Sequence, residues 1–226
     1  MPATPLKDQD PEKARALAQP IYDIVQRLGQ PPTAGELRQM EALARQGADL
    51  EIRYNGEFQR DTVLYIALCR EYFDAAHLLI RNGADVNARC VQECTPFIFA
   101  ALKGSLEVLE AMYNFGNAPD NPDRDSYVVG NENKTGLMVA AEHGRAACAR
   151  YLIDKGADMY LKNGIGKSAL IYAEEKGFTE TIDAMKQAVA AKATEHALSD
   201  MLAGTSGPVT VMKGLRLLSR KAKPQS

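Results

Sequence analysis

The sequence lacks the features of a membrane-spanning, secreted or nucleic-acid-binding protein. No apolar run approaches the length of about 18 residues that a membrane-spanning helix needs. Residues 1–16 contain no apolar segment of the kind found in secretion signals. Lys and Arg total 27 against 29 Asp and Glu, and this balance argues against a specific nucleic-acid binder. We therefore expect a cytoplasmic protein, or one exported without a cleaved signal.

Cysteine is scarce, and its spacing fits neither a disulfide framework nor a zinc site. The four cysteines are Cys69, Cys90, Cys94 and Cys148. In a reducing compartment their thiols are expected to be free. Cys90 and Cys94 are separated by three residues, but no second Cys or His pair occurs at a zinc-binding spacing.

No set of residues for catalysis or cofactor binding can be assembled. The three histidines, His77, His143 and His196, stand in no recognisable nucleophile–base arrangement. Residues 164–168 contain two glycines and a lysine but lack the spacing of a phosphate-binding loop. We therefore expect no enzymatic activity, no cofactor and no metal site.

The sequence does contain an internal repeat with two independent landmarks. Glycines that follow an apolar segment recur at intervals of 36, 33 and 40 residues: Gly47, Gly83, Gly116 and Gly156. Hydroxyl residues that precede an apolar segment recur at intervals of 33, 40 and 33: Thr62, Thr95, Thr135 and Ser168. The shared interval of 33 residues, extended once by seven, predicts a repeat protein with one insertion.

Each repeat has the signals of two short helices. A Thr or Ser hydroxyl can accept a hydrogen bond from a backbone N–H of the first helical turn. Gly104, Gly144 and Gly177 permit a tight turn between the helices, because glycine tolerates the left-handed conformation. Neither helix can bury its apolar face alone, so the repeats are expected to stack.

These repeats resemble the ankyrin-repeat family. The closest stretches are TVLYIALCREYFDAAHLLIRNGADVN at 62–87 and TPFIFAALKGSLEVLEAMYNFGN at 95–117; residues 135–158 and 168–185 follow the pattern more loosely. Departures occur where Val63, Gly136 and Ala169 replace the family's proline and Glu71 replaces the turn glycine. The resemblance implies an all-α, ankyrin-type helical solenoid of about four to five repeats, with helical N- and C-terminal caps.

Three segments are predicted along the chain. Residues 1–33 form an N-terminal tail and capping helix, in which Pro20 is expected to separate a helix over 20–28 from residues 11–19. Residues 34–190 form the ankyrin-repeat domain, beginning with a helix over 34–46 that Thr33 caps. Residues 191–226 form a helical extension, part of a long helix over 178–203, and a basic tail.

The seven-residue insertion enlarges a hairpin at 117–134. Counted from Asn121, oxygen-bearing residues fall at positions 1, 3, 5 and 12, which is the ligand order of a calcium loop. Ser126, however, stands where the loop needs glycine, and Pro122 restricts the backbone. We expect a solvated hairpin that does not bind calcium tightly; the alternative is a ligand or ion sensor that acts through this insertion.

The C-terminal tail is basic and partly apolar. Residues 213–223 contain five Lys or Arg residues and no acidic residue. The tail is expected either to pack against the body of the protein or to contact an acidic partner, with an anionic membrane or nucleic acid as a lesser alternative.

The family resemblance implies that the hairpins and the ends of the first helices form a concave binding surface for another protein. Aromatic, apolar and charged residues of both signs fit a protein partner better than a polyanion. We therefore expect a non-enzymatic adaptor, inhibitor or sequestering factor. Reversing the charges of Lys103 and Lys134 together with Phe58→Ala is expected to abolish binding at a nearly unchanged melting temperature. The expected partner-binding residues are Phe58, Gln59, Asp61, Arg70, Val91, Gln92, Leu102, Lys103, Tyr127, Glu132, Lys134, His143, Ile165, Lys167 and Lys176.

Overall fold

A computed structural model describes most of the chain between residues 10 and 202. The described ranges are 10–27, 29–53, 61–90, 94–115, 126–127 and 133–202, with the backbone alone at 126–127, 196–197 and 200–202. They contain ten helices: α1 Pro11–Val25, α2 Ala34–Arg45, α3 Val63–Cys69, α4 Phe73–Arg81, α5 Pro96–Lys103, α6 Leu106–Asn114, α7 Gly136–Glu142, α8 Ala146–Asp154, α9 Ala169–Lys176 and α10 Thr179–Leu202. Two short strands, β1 Ser126–Tyr127 and β2 Lys134–Thr135, pair antiparallel.

The helices form five stacked pairs in two layers. The first helices of the pairs, α1, α3, α5, α7 and α9, each pack against the next along one layer. The second helices, α2, α4, α6, α8 and α10, do the same along the other layer. A single apolar core runs between the layers from the first pair to the last. This arrangement confirms the prediction of an all-α helical solenoid.

Buried hydroxyl groups begin the first helices of the last four pairs. The side-chain oxygen of each cap accepts a hydrogen bond from the backbone N–H three residues further on, at 3.3–3.4 Å. Each bond satisfies a donor that the first turn of the helix leaves without an intrahelical partner. The four caps are the predicted residues Thr62, Thr95, Thr135 and Ser168.

The turn between the two helices of a pair requires a left-handed residue. Gly104, Gly144 and Gly177 occupy it with φ of 78°, 67° and 72°. Glu71 occupies the same position after α3 with φ of 60°. A residue with a Cβ atom pays roughly 1–2 kcal/mol for this conformation, so the substitution at Glu71 stores strain in the second pair.

The first pair differs from expectation in one respect. Pro20 does not separate two helices, because α1 continues through it from Pro11 to Val25. Ala14, Ala18 and Ile21 are buried on one face of α1, and this packing outweighs the backbone hydrogen bond that proline cannot make. The prediction for α2 is confirmed, since Thr33 caps it and forms a reciprocal capping box with Glu36.

Direct hydrogen bonds join the first pair to the second. The Tyr72 hydroxyl donates to the Arg27 carbonyl oxygen, and Arg70 Nη2 donates to the Gln26 carbonyl oxygen at 2.9 Å. The first pair is therefore joined to the second by hydrogen bonds as well as by the shared apolar core.

At the other end, α10 continues well beyond the length of the other second helices. Thr181, Met185 and Ala188 are buried against the array. Lys192 Nζ donates to the Ile153 carbonyl oxygen at the end of α8, at 2.9 Å. Neither α10 nor any other helix in the described ranges is long and apolar enough to cross a membrane.

Candidate functional site

Lysine–glutamate pairs line the layer of first helices. Lys134 and Lys167 each precede a cap residue and pair with the glutamate eight residues further on, Glu142 at 2.9 Å and Glu175 at 2.6 Å. Lys103 at the end of α5 pairs with Glu71 of the preceding pair at 2.7 Å. The pairs therefore connect hairpins to helix ends and one repeat to the next.

Tyr172 lies between two of these lysines. The ammonium groups of Lys134 and Lys167 are 4.8 Å and 5.5 Å from the centre of its ring, within the range of cation–π attraction. The Tyr172 hydroxyl accepts a hydrogen bond from Asn163 Nδ2 at 2.9 Å. This cluster attaches the hairpin between α8 and α9 to the first-helix layer.

The environment of Lys134 changes the expectation for charge reversal. The side chains of Lys134 and Glu142 are only 12% and 20% exposed. A carboxylate at position 134 would face Glu142 in a poorly solvated site, so an unchanged melting temperature is not expected for that substitution.

The other described positions of the expected set have varied surroundings. Asp61 is buried, and Leu102 is half-buried against the core. Arg70 contacts the first pair through the hydrogen bond to Gln26. His143 is exposed, with its Nδ1 atom 3.0 Å from the Val139 carbonyl oxygen. Lys176 is exposed at the end of α9.

Several expected residues lie outside the described part of the chain. They are Phe58, Gln59, Val91, Gln92 and Glu132. Tyr127 is described for its backbone, which pairs with Lys134. Nearly all of the calcium-like segment 121–132 is likewise outside, as is the basic tail 213–223, so both hypotheses remain predictions. Among the residues that are described, no group of three or more His, Cys, Asp or Glu side chains could hold a metal ion.

An exposed apolar patch lies on the hairpin between α8 and α9. Tyr160, Leu161 and Ile165, which we call the 160–165 patch, are 58%, 38% and 47% exposed. Ile165 was among the expected residues, whereas Tyr160 and Leu161 were missed. The hairpin of the second pair has the same turn, in which Asp85 accepts a hydrogen bond from the backbone N–H two residues on, at 2.8 Å, as Asp158 does here. This match aligns Tyr160 and Leu161 with Asn87 and Ala88. The replacement of a polar and a small residue by two large apolar ones was visible in the sequence.

A family model that describes three copies of the ankyrin repeat matches residues 33–125 and 116–195. The chain belongs to the ankyrin-repeat family. Ankyrin repeats are generally protein–protein interaction modules, and the family is typically non-enzymatic. Within the ankyrin array described above, the hairpin that carries the 160–165 patch belongs to the last pair.

Curated relatives match this ankyrin-repeat chain over about half of its length. They include ankyrin repeat and SOCS box protein 16 of Homo sapiens, 29% identical over 57% of this chain. Dauer abnormal formation protein 25 of Caenorhabditis elegans is 31% identical over 53% of this chain, and ankyrin repeat and KH domain-containing protein mask-1 of the same organism is 31% identical over 50%. The matches span only 26%, 29% and 4% of those three proteins, respectively.

Proposed function

We propose that this ankyrin-repeat protein is a non-enzymatic binding module, an adaptor, inhibitor or sequestering factor, that holds a partner protein through its hairpins and first helices. The observation that carries the proposal is the 160–165 patch. Three large apolar side chains are exposed within residues 160–165, and clustered exposed apolar surface marks interaction sites. Tyrosine in particular contributes strongly to the energy of protein interfaces.

The surroundings of the patch support a partner of particular chemistry. Lys162 is exposed between Leu161 and Ile165. The Asp158 carboxylate accepts a hydrogen bond from the Tyr160 backbone N–H, so its charge is directed into the turn. The patch therefore offers apolar surface beside a positive charge, and it fits a partner that presents apolar and acidic side chains.

The first-helix layer supports the patch by holding its hairpin in place. Asn163 and Lys167, on either side of Ile165, are bonded to Tyr172 and Glu175 of α9. A hairpin held in its binding conformation loses less entropy when the partner binds. The ion pairs of Lys134 and Lys167 are accordingly assigned a supporting role, and direct recognition is assigned to the exposed side chains.

Affinity capture with paired variants tests the proposal. Wild-type protein is immobilised, exposed to a lysate of the source cells, and the bound proteins are quantified by mass spectrometry. The double variant Tyr160→Ser/Ile165→Ser is expected to lose the partner, since each interface anchor contributes about 2 kcal/mol, or roughly thirtyfold in affinity. Leu198→Ser is the control, because Leu198 is 62% exposed but lies on α10, in the layer of second helices. Equal recovery by the wild type and a folded double variant would show that the patch is not the binding site.

A further inference from the structure

Two cysteines face each other at the base of the hairpin that precedes α5. The Cys90 backbone N–H donates to the Cys94 carbonyl oxygen at 2.9 Å. The Cys94 backbone N–H donates to Cys90 Sγ at 3.3 Å, and the Cys94 thiol donates to the Thr95 carbonyl oxygen at 3.5 Å. The two residues are therefore held opposite each other, with three residues between them in the chain.

The equivalent hairpin of the last pair shows what the turn itself requires. There the Asn163 backbone N–H donates to the Lys167 carbonyl oxygen at 3.0 Å, as Cys90 does to Cys94. Asn163 Oδ1 accepts from the Lys167 backbone N–H at 2.9 Å, as Cys90 Sγ does from Cys94. The turn thus needs one acceptor side chain, which asparagine supplies. It does not explain a second thiol at position 94.

We propose that Cys90 and Cys94 form a reversible disulfide modification site. With hydrogen peroxide as the oxidant, one thiolate attacks a peroxide oxygen, the O–O bond breaks, and a sulfenic acid and hydroxide form. The second thiol then attacks the sulfenic sulfur; the S–O bond breaks and the hydroxyl group leaves as water, taking the thiol proton. Overall, two thiols and one peroxide give one disulfide and two waters. A small thiol reductant reverses the reaction by thiol–disulfide exchange.

Cys90 and Cys94 are expected to form a disulfide because they are close together and not because their thiols are acidic. Burial raises the pKa of Cys69 and of Cys148 to about 11. A hydrogen bond with Cys90, together with burial, also holds the pKa of Cys94 above its usual value. All three thiols are therefore weak nucleophiles near neutral pH, and reaction is slow. Cys90 and Cys94 are distinguished from the others by the adjacent partner that captures the first oxidation product.

Cys69 is also near the pair, and the Tyr65 side chain interacts with both Cys69 and Cys90. Tyr65 is buried in the core. Direct hydrogen bonds, however, join Cys90 to Cys94, so we expect the Cys90–Cys94 bond to form first. This bond would close a covalent loop between the two cysteines, which in the sequence contains Val91 and Gln92. Any effect of the loop on partner binding rests on the proposed function.

Peptide mapping of the wild-type protein tests the site directly. Cleavage after Arg89 and Lys103 leaves Cys90 and Cys94 in one tryptic peptide, 90–103, whereas Cys69 lies in the peptide that ends at Arg70. Reduced protein is treated with hydrogen peroxide, alkylated and digested. Peptide 90–103 is expected to lose the mass of two hydrogen atoms, to resist alkylation, and to recover both free thiols after dithiothreitol.

Variants and competing products make the test decisive. Cys94→Ser is expected to abolish the mass loss, and Cys148→Ser, which removes a buried thiol elsewhere, is expected to preserve it. A cross-link between peptide 90–103 and the Cys69 peptide as the main product would overturn the proposal. So would sulfinic or sulfonic acid at single cysteines without a disulfide. Because the mapping is performed on wild-type protein, the result does not depend on the folding of a variant or on the identity of a binding partner.

Discussion

At the scale of single residues, the poorly exposed ion pair of Lys134 and Glu142 is expected to contribute to the free energy of unfolding. Lys134→Glu is expected to lower the free energy of unfolding by about 2 kcal/mol, because it places two poorly solvated carboxylates together. The matched control is Lys186→Glu on the exposed face of α10, which is expected to change it by no more than about 0.5 kcal/mol. Urea unfolding followed by circular dichroism measures both. Equal effects would show that Lys134 is more solvated than its 12% exposure indicates.

Substitution of two turn glycines by alanine distinguishes two contributions to the loss of stability, backbone strain and steric crowding. Gly177→Ala is expected to cost about 1 kcal/mol, since φ is 72° but a Cβ atom there would meet nothing within 4 Å. Gly144→Ala is expected to cost about 2 kcal/mol, because its Cβ atom would also lie 2.9 Å from the ring of Phe178. Thermal unfolding of the two variants measures the difference. A Gly144 variant as stable as the Gly177 variant would show that the half-exposed Phe178 ring moves aside at no cost.

The caps and turns could be predicted at this scale because their signals are local. Thr95, for example, bonds the N–H of Ile98, three residues away, in the way that any helix start permits. The lysine–glutamate pairs could not be predicted. A separation of eight residues matches no local pairing rule, and Lys134 reaches Glu142 only because the folded hairpin lies along α7.

At the scale of secondary-structure elements, α1 contains Pro20 in its interior although proline has a low helix propensity. Pro20→Ala is expected to stabilise the protein by about 1 kcal/mol, because alanine restores the N–H that proline lacks. Pro11→Ala is the control: Pro11 is at the start of α1, where that N–H has no helical partner, so little change is expected. The urea midpoint at constant m-value is the measurement. A lower midpoint for the Pro20 variant would mean that the packing of the ring matters more than the missing hydrogen bond.

Helix α1 and the 160–165 patch also show where prediction from the sequence failed. The rule that proline ends a helix is local, and only the burial of Ala14, Ala18 and Ile21 against other elements shows why it does not apply. Tyr160 and Leu161 were missed for a different reason. Apolar residues in a repeat protein are usually core residues, and the sequence indicates their exposure only through the comparison with Asn87 and Ala88 at the same positions of the second pair.

At the scale of the whole molecule, the half-buried Cys69 thiol and the buried Cys148 thiol predict a loss of stability at alkaline pH. An unfolded cysteine has a pKa of about 8.5, whereas burial raises the pKa of Cys69 and Cys148 to about 11 in the folded protein. As the pH rises through this window, the unfolded chain releases thiol protons first, so the free energy of unfolding falls. The expected loss is about 3 kcal/mol per thiol once the pH exceeds the folded pKa, and it is absent below the unfolded pKa.

Urea unfolding at about pH 8 and pH 10.5 under reducing conditions checks this expectation, since these values lie on either side of most of the window. Cys148→Ala is expected to reduce the difference between the two pH values, even if it lowers stability at both. The same pH dependence in wild type and variant would show that Cys148 ionises equally in the folded and unfolded states.

The length of α10 has a mechanical consequence. Its 24 residues extend about 36 Å, against about 14 Å for the nine-residue helices α4, α6 and α8. Among the side chains that the structure describes, Ala188 is the last buried one on α10, and Lys192 bonds to the end of α8 one turn further on. Tension applied at Leu202 would pass along α10 to this packing, so we expect α10 to bear such a load before the inner pairs do.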